Sequence, residues 1–265
     1  MEKANDGGKT AIITGGSSGI GRATASLFAR NGFRGLALAA RNARELQNAA
    51  HEVTYPGCDV LALPTDVTRE DQVQTLVRQA LERWGRIDVL VANAGQYIRA
   101  PISQLAVEDL EHSMAVNFYG AIYAILAVLP VMQAQHSGHI VLVSSLDAKK
   151  GLPPDAPYVA AKFAVSGFVE VLRQEMRSSG ISVTTVYPGR VDTPMVSSLR
   201  FPRISPKMPP ERVSAAILSA LYHHPAEVIV PTQGKFLYWI NVISPFLADQ
   251  AVRLLHLEGW ENQGG

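Results

Sequence analysis

The sequence predicts an α/β protein in which helices cover both faces of one doubly wound parallel sheet. Three observations carry that reading. Short apolar runs alternate with stretches of helical spacing along most of the 265 residues. A glycine cluster stands where the first run passes into the first helix. No repeat or low-complexity linker interrupts the alternation. Strands joined through helices run parallel and are buried on both faces, so they read as continuously apolar.

The elements follow in order. Ala11-Ile12-Ile13 is short, β-branched and stopped by Gly15-Gly16, as a buried strand ending in a turn should be. From Ile20 the apolar positions Ala23, Leu27 and Phe28 fall at helical spacing until Asn31-Gly32 supplies a stop. Residues 35–40 read as a strand, 43–53 as a helix, 59–63 as a strand and 70–84 as a helix. Residues 88–92 follow as a strand, 107–135 as a long helix, 139–144 as a strand, 156–178 as a helix and 181–186 as a strand. A short run at 228–231 closes the sheet. The result is one Rossmann-type domain over residues 1–234, with a C-terminal apolar helical extension over 235–265.

Composition bounds the function. With 47% hydrophobic and 18% charged residues the chain can bury a large core, and a net charge of +1 gives no general field for nucleic acid. The single cysteine, Cys58, excludes an internal disulfide. His136, His139, His223 and His224 lack the carboxylate or cysteine framework of a metal site and read as solvated or loop residues, so no metal is expected. The amino end has no apolar core of the signal-peptide kind, which makes the cytoplasm the expected location.

In a doubly wound sheet, ligands bind beyond the carboxyl ends of the strands. Those ends carry Thr14 to Gly21, Arg41-Asn42, Asp66-Val67, Asn93-Ala94-Gly95, Ser144-Ser145 and Pro188-Gly189. The first, Thr14-Gly15-Gly16-Ser17-Ser18-Gly19-Ile20-Gly21, has the spacing T-G-x-x-x-G-x-G between a strand and a helix. There glycines permit a sharp turn and let a phosphate approach backbone amides at the helix N-terminus. Tyr158 and Lys162 lie four apart near the start of a helix and project from one face. A phenol titrates near pH 10, and a neighbouring ammonium favours its ionised form, so the pair can act as an acid/base device. Alone, such a pair is commonly a tyrosine packed on a lysine stem. Here Ser145 stands at the same sheet edge, and Asn117 interrupts an otherwise apolar helix.

These residues together resemble the short-chain dehydrogenase/reductase family over nearly the whole chain to about Val230. Thr14, Gly15, Gly19 and Gly21 are similar to its cofactor loop, Asn93-Ala94-Gly95 to its N-A-G motif, and Pro188-Gly189 with Thr193 to its P-G-x-x-x-T segment. The resemblance implies a catalytic tetrad of Asn117, Ser145, Tyr158 and Lys162. By it, Tyr158 exchanges a proton with the substrate oxygen, Ser145 orients and polarises that oxygen, Lys162 lowers the tyrosine pKa and touches the nicotinamide ribose, and Asn117 holds water in a proton relay. It further implies cofactor contacts from Ser17, Ser18, Ile20, Asn42, Asp66 and Val67, and a homo-oligomer.

The choice of nucleotide rests on charge. An NAD site usually has a carboxylate near the end of the second strand, where this chain has Ala40-Arg41-Asn42. Arg41 can pair with a 2′-phosphate, and Arg22 is a second candidate, so NADP(H) is expected over NAD(H). The expected reaction interconverts a ketone or aldehyde and an alcohol, with a mostly apolar small molecule under a mobile lid at about 190–210. The alternative is a redox sensor that binds NADPH and catalyses nothing. The C-terminal stretches 235–240 and 247–257 depart from the family pattern. They read as two helices packed over the substrate loop or another subunit, with an interfacial membrane contact as the alternative.

Overall fold

The structure, a computed structural model, describes residues 8–261. The amino-terminal expectation on targeting rests largely on residues 1–7, and the extension's last four residues also fall outside the described part. The chain opens with β1 (Thr10–Thr14), α1 (Gly19–Arg30), β2 (Gly35–Ala40), α2 (Ala43–Val53), β3 (Asp59–Pro64), α3 (Glu70–Trp84) and β4 (Val89–Ala92). It continues through α4 (Val107–Met114), α5 (Gly120–Gln135), β5 (Gly138–Val143), α6 (Ala156–Glu175), β6 (Ile181–Pro188), β7 (Leu199–Arg200) and α7 (Pro210–His223). It ends with β8 (Glu227–Val230), α8 (Gly234–Ile243), α9 (Pro245–Leu254) and β9 (Trp260–Glu261).

Seven strands form one parallel sheet in the order β3-β2-β1-β4-β5-β6-β8. Successive residues of a strand point to opposite faces. Thus Ile12, Leu90 and Ile140 enter the core under α3, α5 and α6, while Ile13, Val91 and Val141 enter the core shared with α1, α2 and α7. The order reverses between β1 and β4, and a crevice opens at that switch point beyond their carboxyl ends. Local chemistry sets the element ends. Asn42 accepts hydrogen bonds from the amides of Arg44 and Glu45 and so starts α2, and Gly85, at φ 71°, ends α3.

Three features depart from the sequence reading. The single helix expected over 107–135 contains a π-helical turn at Ala115–Tyr119, centred on Asn117. Helix α7 was not anticipated, although Val213, Ile217, Ala220 and Leu221 recur at helical spacing and are buried. Strands β7 and β9 pair antiparallel, tying the chain's tail to the segment after β6. His139 also differs from the solvated histidine expected. It is 5% exposed, stacks on His224 at 5.0 Å and pairs through Nε2 with Thr184 Oγ1 at 2.9 Å.

Candidate active site

The crevice is a cleft of about 940 Å³ that runs from the glycine loop, along the ends of β1, β4, β5 and β6, to the C-terminal helices. One end is built from backbone. Ser18 precedes α1 without making a side-chain cap, and the first turn of α1 carries no acid, so its amides stay available to an anion. Gly15 and Gly19 have positive φ, and a Cβ on Gly19 would come within 2.8 Å of the Thr193 methyl. A side chain here would close the cradle that a dinucleotide diphosphate needs, so the loop fits such a group. Ser17, Ser18, Ile20, Asn93, Ala94, Gly95, Pro188, Gly189 and Thr193 line the same cleft.

Two members of the predicted loop act from behind it. The Thr14 hydroxyl accepts from the amides of Asn93 and Ala94, each at 3.0 Å, and locks the end of β4 to the end of β1. Gly21 does not line the cleft; a Cβ there would lie 2.2 Å from the Gly15 carbonyl oxygen. Both, named above as cofactor-loop residues, shape the backbone of that loop.

At the adenosine end, Arg41, Asn42, Asp66 and Val67 line the cleft, together with Glu45. Burial alone would raise the Asp66 carboxyl, but hydrogen bonds from Thr68 and the charges of Arg41 and Arg69 hold it below its ordinary value. Arg22 does not line the cleft and pairs with Glu52 at 3.1 Å.

The catalytic wall brings Ser145, Tyr158 and Lys162 into the same cleft. Ser145 follows β5, while α6 carries the other two one turn apart. The Lys162 ammonium donates to the Val143 carbonyl at 3.1 Å and lies 5.6 Å from the centre of the Tyr158 ring. Its burial lowers its pKa to about 8, against the pull of Asp147. Tyr158 does not show the depressed pKa expected from a lysine neighbour. Burial and then the Asp147 carboxylate push the phenol up, and the neighbouring Ser145 hydroxyl only partly offsets them.

Asn117 binds backbone with its side chain. Its Nδ2 donates to the Gln96 carbonyl at 2.8 Å and the Ser113 carbonyl at 3.1 Å, while its Oδ1 accepts from the Gln96 amide at 3.1 Å. With both ends of the amide engaged and no face on the cleft, its side chain braces the chain after β4. The π-helical turn provides that alignment.

Sequence reasoning missed a buried polar cluster beside Ser145. The Ser145 hydroxyl donates to Asp147 Oδ2 at 3.0 Å and accepts from the Asp147 amide at 3.1 Å. Asp147 is half-buried by its own surface but deep in the cleft, where burial and Asp155 raise its carboxyl to about 6. Asp155 receives Tyr97 at 2.5 Å and Arg99 at 2.9 Å, and Tyr97 meets the Tyr158 ring edge-on at 4.8 Å. The only signal available was position: Tyr97 and Asp147 both follow strand ends.

A doubly wound sheet with a glycine-lined anion cradle and a Ser, Tyr and Lys wall defines a nucleotide-dependent oxidoreductase. The family model for short chain dehydrogenase matches residues 9–203, and the chain belongs to that family. It is 38% identical over 193 residues to an uncharacterized oxidoreductase of Listeria monocytogenes, covering 72% of this chain and 77% of the relative. A short chain dehydrogenase/reductase from Burkholderia phymatum, solved with NAD, superposes with TM-score 0.84 at 24% identity, covering 92% of this chain and 96% of that one, which shows the fold. An alcohol dehydrogenase from Thermococcus sibiricus, solved with 5-hydroxy-NADP, is 29% identical with TM-score 0.75, covering 84% of this chain and 95% of that one.

Proposed function

We propose that this oxidoreductase interconverts a carbonyl compound and an alcohol with NADP(H), acting on a mostly apolar substrate. The convergence of Ser145, Tyr158 and Lys162 on one wall of the cleft, in line with the glycine loop, carries the reading. When bound, the nicotinamide supplies or accepts the hydride, and the protein supplies orientation and proton handling. Tyr158, held protonated by burial, is suited to give its proton to a carbonyl oxygen. Ser145 holds that oxygen. Lys162 stands close enough to follow the charge on the phenol, and near neutral pH it can carry or release its own proton.

Arg41 supports NADP(H), because a guanidinium at the end of β2 favours a 2′-phosphate where a carboxylate would repel it. Met195, Phe201, Ile204, Leu237 and Ile240 line the far part of the cleft and support an apolar substrate. Homo-oligomerisation belongs to the same reading and is checked by light scattering. The test of function is a panel of ketones, aldehydes and secondary alcohols assayed with NADPH and NADH. Tyr158→Phe should keep cofactor binding, followed by fluorescence, and lose nearly all turnover. Near-normal turnover in that variant would defeat the assignment.

A further inference from the structure

We propose that the apolar collar around the mouth of the cleft is a docking surface for an anionic bilayer, from which the site draws membrane-partitioned carbonyl substrate. The substrate half of this proposal rests on the function above; the docking half does not. Helix α8 turns Phe236, Trp239 and Ile243 outward at spacings of three and four, so they share one face, and they are 74%, 57% and 81% exposed. Phe246 and Leu254 of α9 add to it, the latter 77% exposed. Across the mouth, the lid contributes Ile204. Single exposed apolar residues are ordinary on a soluble protein, but a cluster of this density marks an interaction surface.

Two observations select a bilayer as the occupant. The first is charge. Arg200, Arg203, Lys235 and Arg253 are exposed on the lid and the C-terminal helices, and among the described residues none of them has an ion pair. Of the described acidic side chains of the same segments, Asp249 pairs with Lys150 at 2.5 Å and Asp192 lies 3.9 Å from Lys207, while Glu258 is two-thirds buried beside the His256 ring at 3.5 Å, which leaves the exposed cations in excess. Aromatic and aliphatic side chains beside unpaired cations suit an anionic headgroup layer.

The second is continuity with the site. Ile204, Phe236 and Leu255 are exposed outside and also line the cleft. A second protein copy docked here would cover the entrance, whereas a bilayer can deliver an apolar substrate through it. The surface is also mechanically joined to the lid, through the pairing of β7 with β9 and the Arg190 guanidinium, which donates to the Leu257 carbonyl. Helices α8 and α9 lie beyond residue 203, where the family match ends.

The experiment is vesicle flotation of the full chain with phosphatidylcholine alone and with phosphatidylcholine plus phosphatidylglycerol. The wild type should float with the anionic vesicles and be released by salt. The triple variant Trp239→Ser, Ile243→Ser, Phe246→Ser changes exposed residues that do not line the cleft, so its melting temperature and NADPH binding should hold while flotation falls roughly tenfold or more. Lys235→Glu with Arg253→Glu should remove the preference for anionic vesicles. Failure of the wild type to float with either vesicle overturns the proposal. So does a dimer by light scattering that the triple variant abolishes, because the surface then belongs to a second copy. Flotation without turnover of any carbonyl, soluble or vesicle-borne, would leave docking intact and refute the reductase reading instead.

Discussion

Asp147 and the oxygen of the reacting substrate compete for one proton. The Ser145 hydroxyl has a single hydrogen, and in the structure it is given to the Asp147 carboxylate at 3.0 Å. For Ser145 to polarise a carbonyl, that bond must be released. A hydrogen bond to a charged partner contributes about 1.5 to 3 kcal/mol, and one to a neutral partner about 0.5 to 1.5 kcal/mol. Replacing the carboxylate by an amide therefore lowers the cost of release by about 1 to 2 kcal/mol, or roughly five- to thirtyfold in rate. The Asp147 carboxyl titrates at about 6, so the wild type makes the same change itself in acid.

The expected result is that Asp147→Asn has a higher kcat/KM for carbonyl reduction than the wild type at pH 8, and that the two converge below pH 6. The assay is NADPH absorbance, run across that range on the best ketone from the panel. A stability readout accompanies it. The Asp147 pKa is raised on folding, so the native state binds the proton more tightly, and the wild type loses stability as pH rises from about 4 to about 6. The asparagine variant should lack that loss. If wild type and variant differ by one constant factor at every pH, the competition does not exist.

Arg41→Ala should lower the kcat/KM ratio of NADPH to NADH by about tenfold, the low end for a charged hydrogen bond because Arg41 is exposed; an unchanged ratio places Arg41 outside the 2′-phosphate site. His139 is buried and its pKa is lowered to about 3, so the folded state resists a proton that the unfolded chain takes up below about 6.5. Its neutral form thus contributes stability that is lost as pH falls, about 2 kcal/mol by pH 5, and His139→Gln should flatten the acid limb of the melting curve. Burial followed by the charge of Asp59 pushes the Cys58 thiol up to about 11, so iodoacetamide should label native protein far more slowly than unfolded protein at pH 8.

The sheet was legible because each strand is short, apolar and bounded by turn residues, and a chain that alternates such runs with helices has few topologies open to it. The glycine cradle was legible for a related reason: the loop spacing tells where side chains cannot be. What the sequence did not disclose depends on direction and distance. An amide in an apolar helix could bind water or backbone; the π-helical turn aims Asn117 at the Gln96 backbone, and no local pattern announces that turn. Arg22 was the second candidate for a phosphate after Arg41, and only the structure shows that it reaches Glu52 instead. Tyr158 and Lys162 are a helical turn apart, as the spacing required, yet the phenol is pushed up first by burial and then by Asp147, a residue that sequence alone gives no reason to single out.

The same logic explains why the site needs more than its three reactive groups. Lys162 and Tyr158 are both desolvated, and desolvation disfavours charge on each. Burial alone favours a neutral amine beside a neutral phenol, a pair suited to donating a proton and poorly suited to taking one back. Asp147 counters this on the lysine, whose ammonium it favours, and strengthens it on the tyrosine, whose phenolate it opposes. An ionised Asp147 therefore keeps the phenol in its proton-donating form while it holds the Ser145 hydroxyl back. It follows that Asp147→Asn should favour the reverse reaction as well as free Ser145, by letting Tyr158 ionise at lower pH. The alkaline rise of alcohol oxidation should move to lower pH in the variant, and a profile that stays in place would show that Asp147 acts on Ser145 alone.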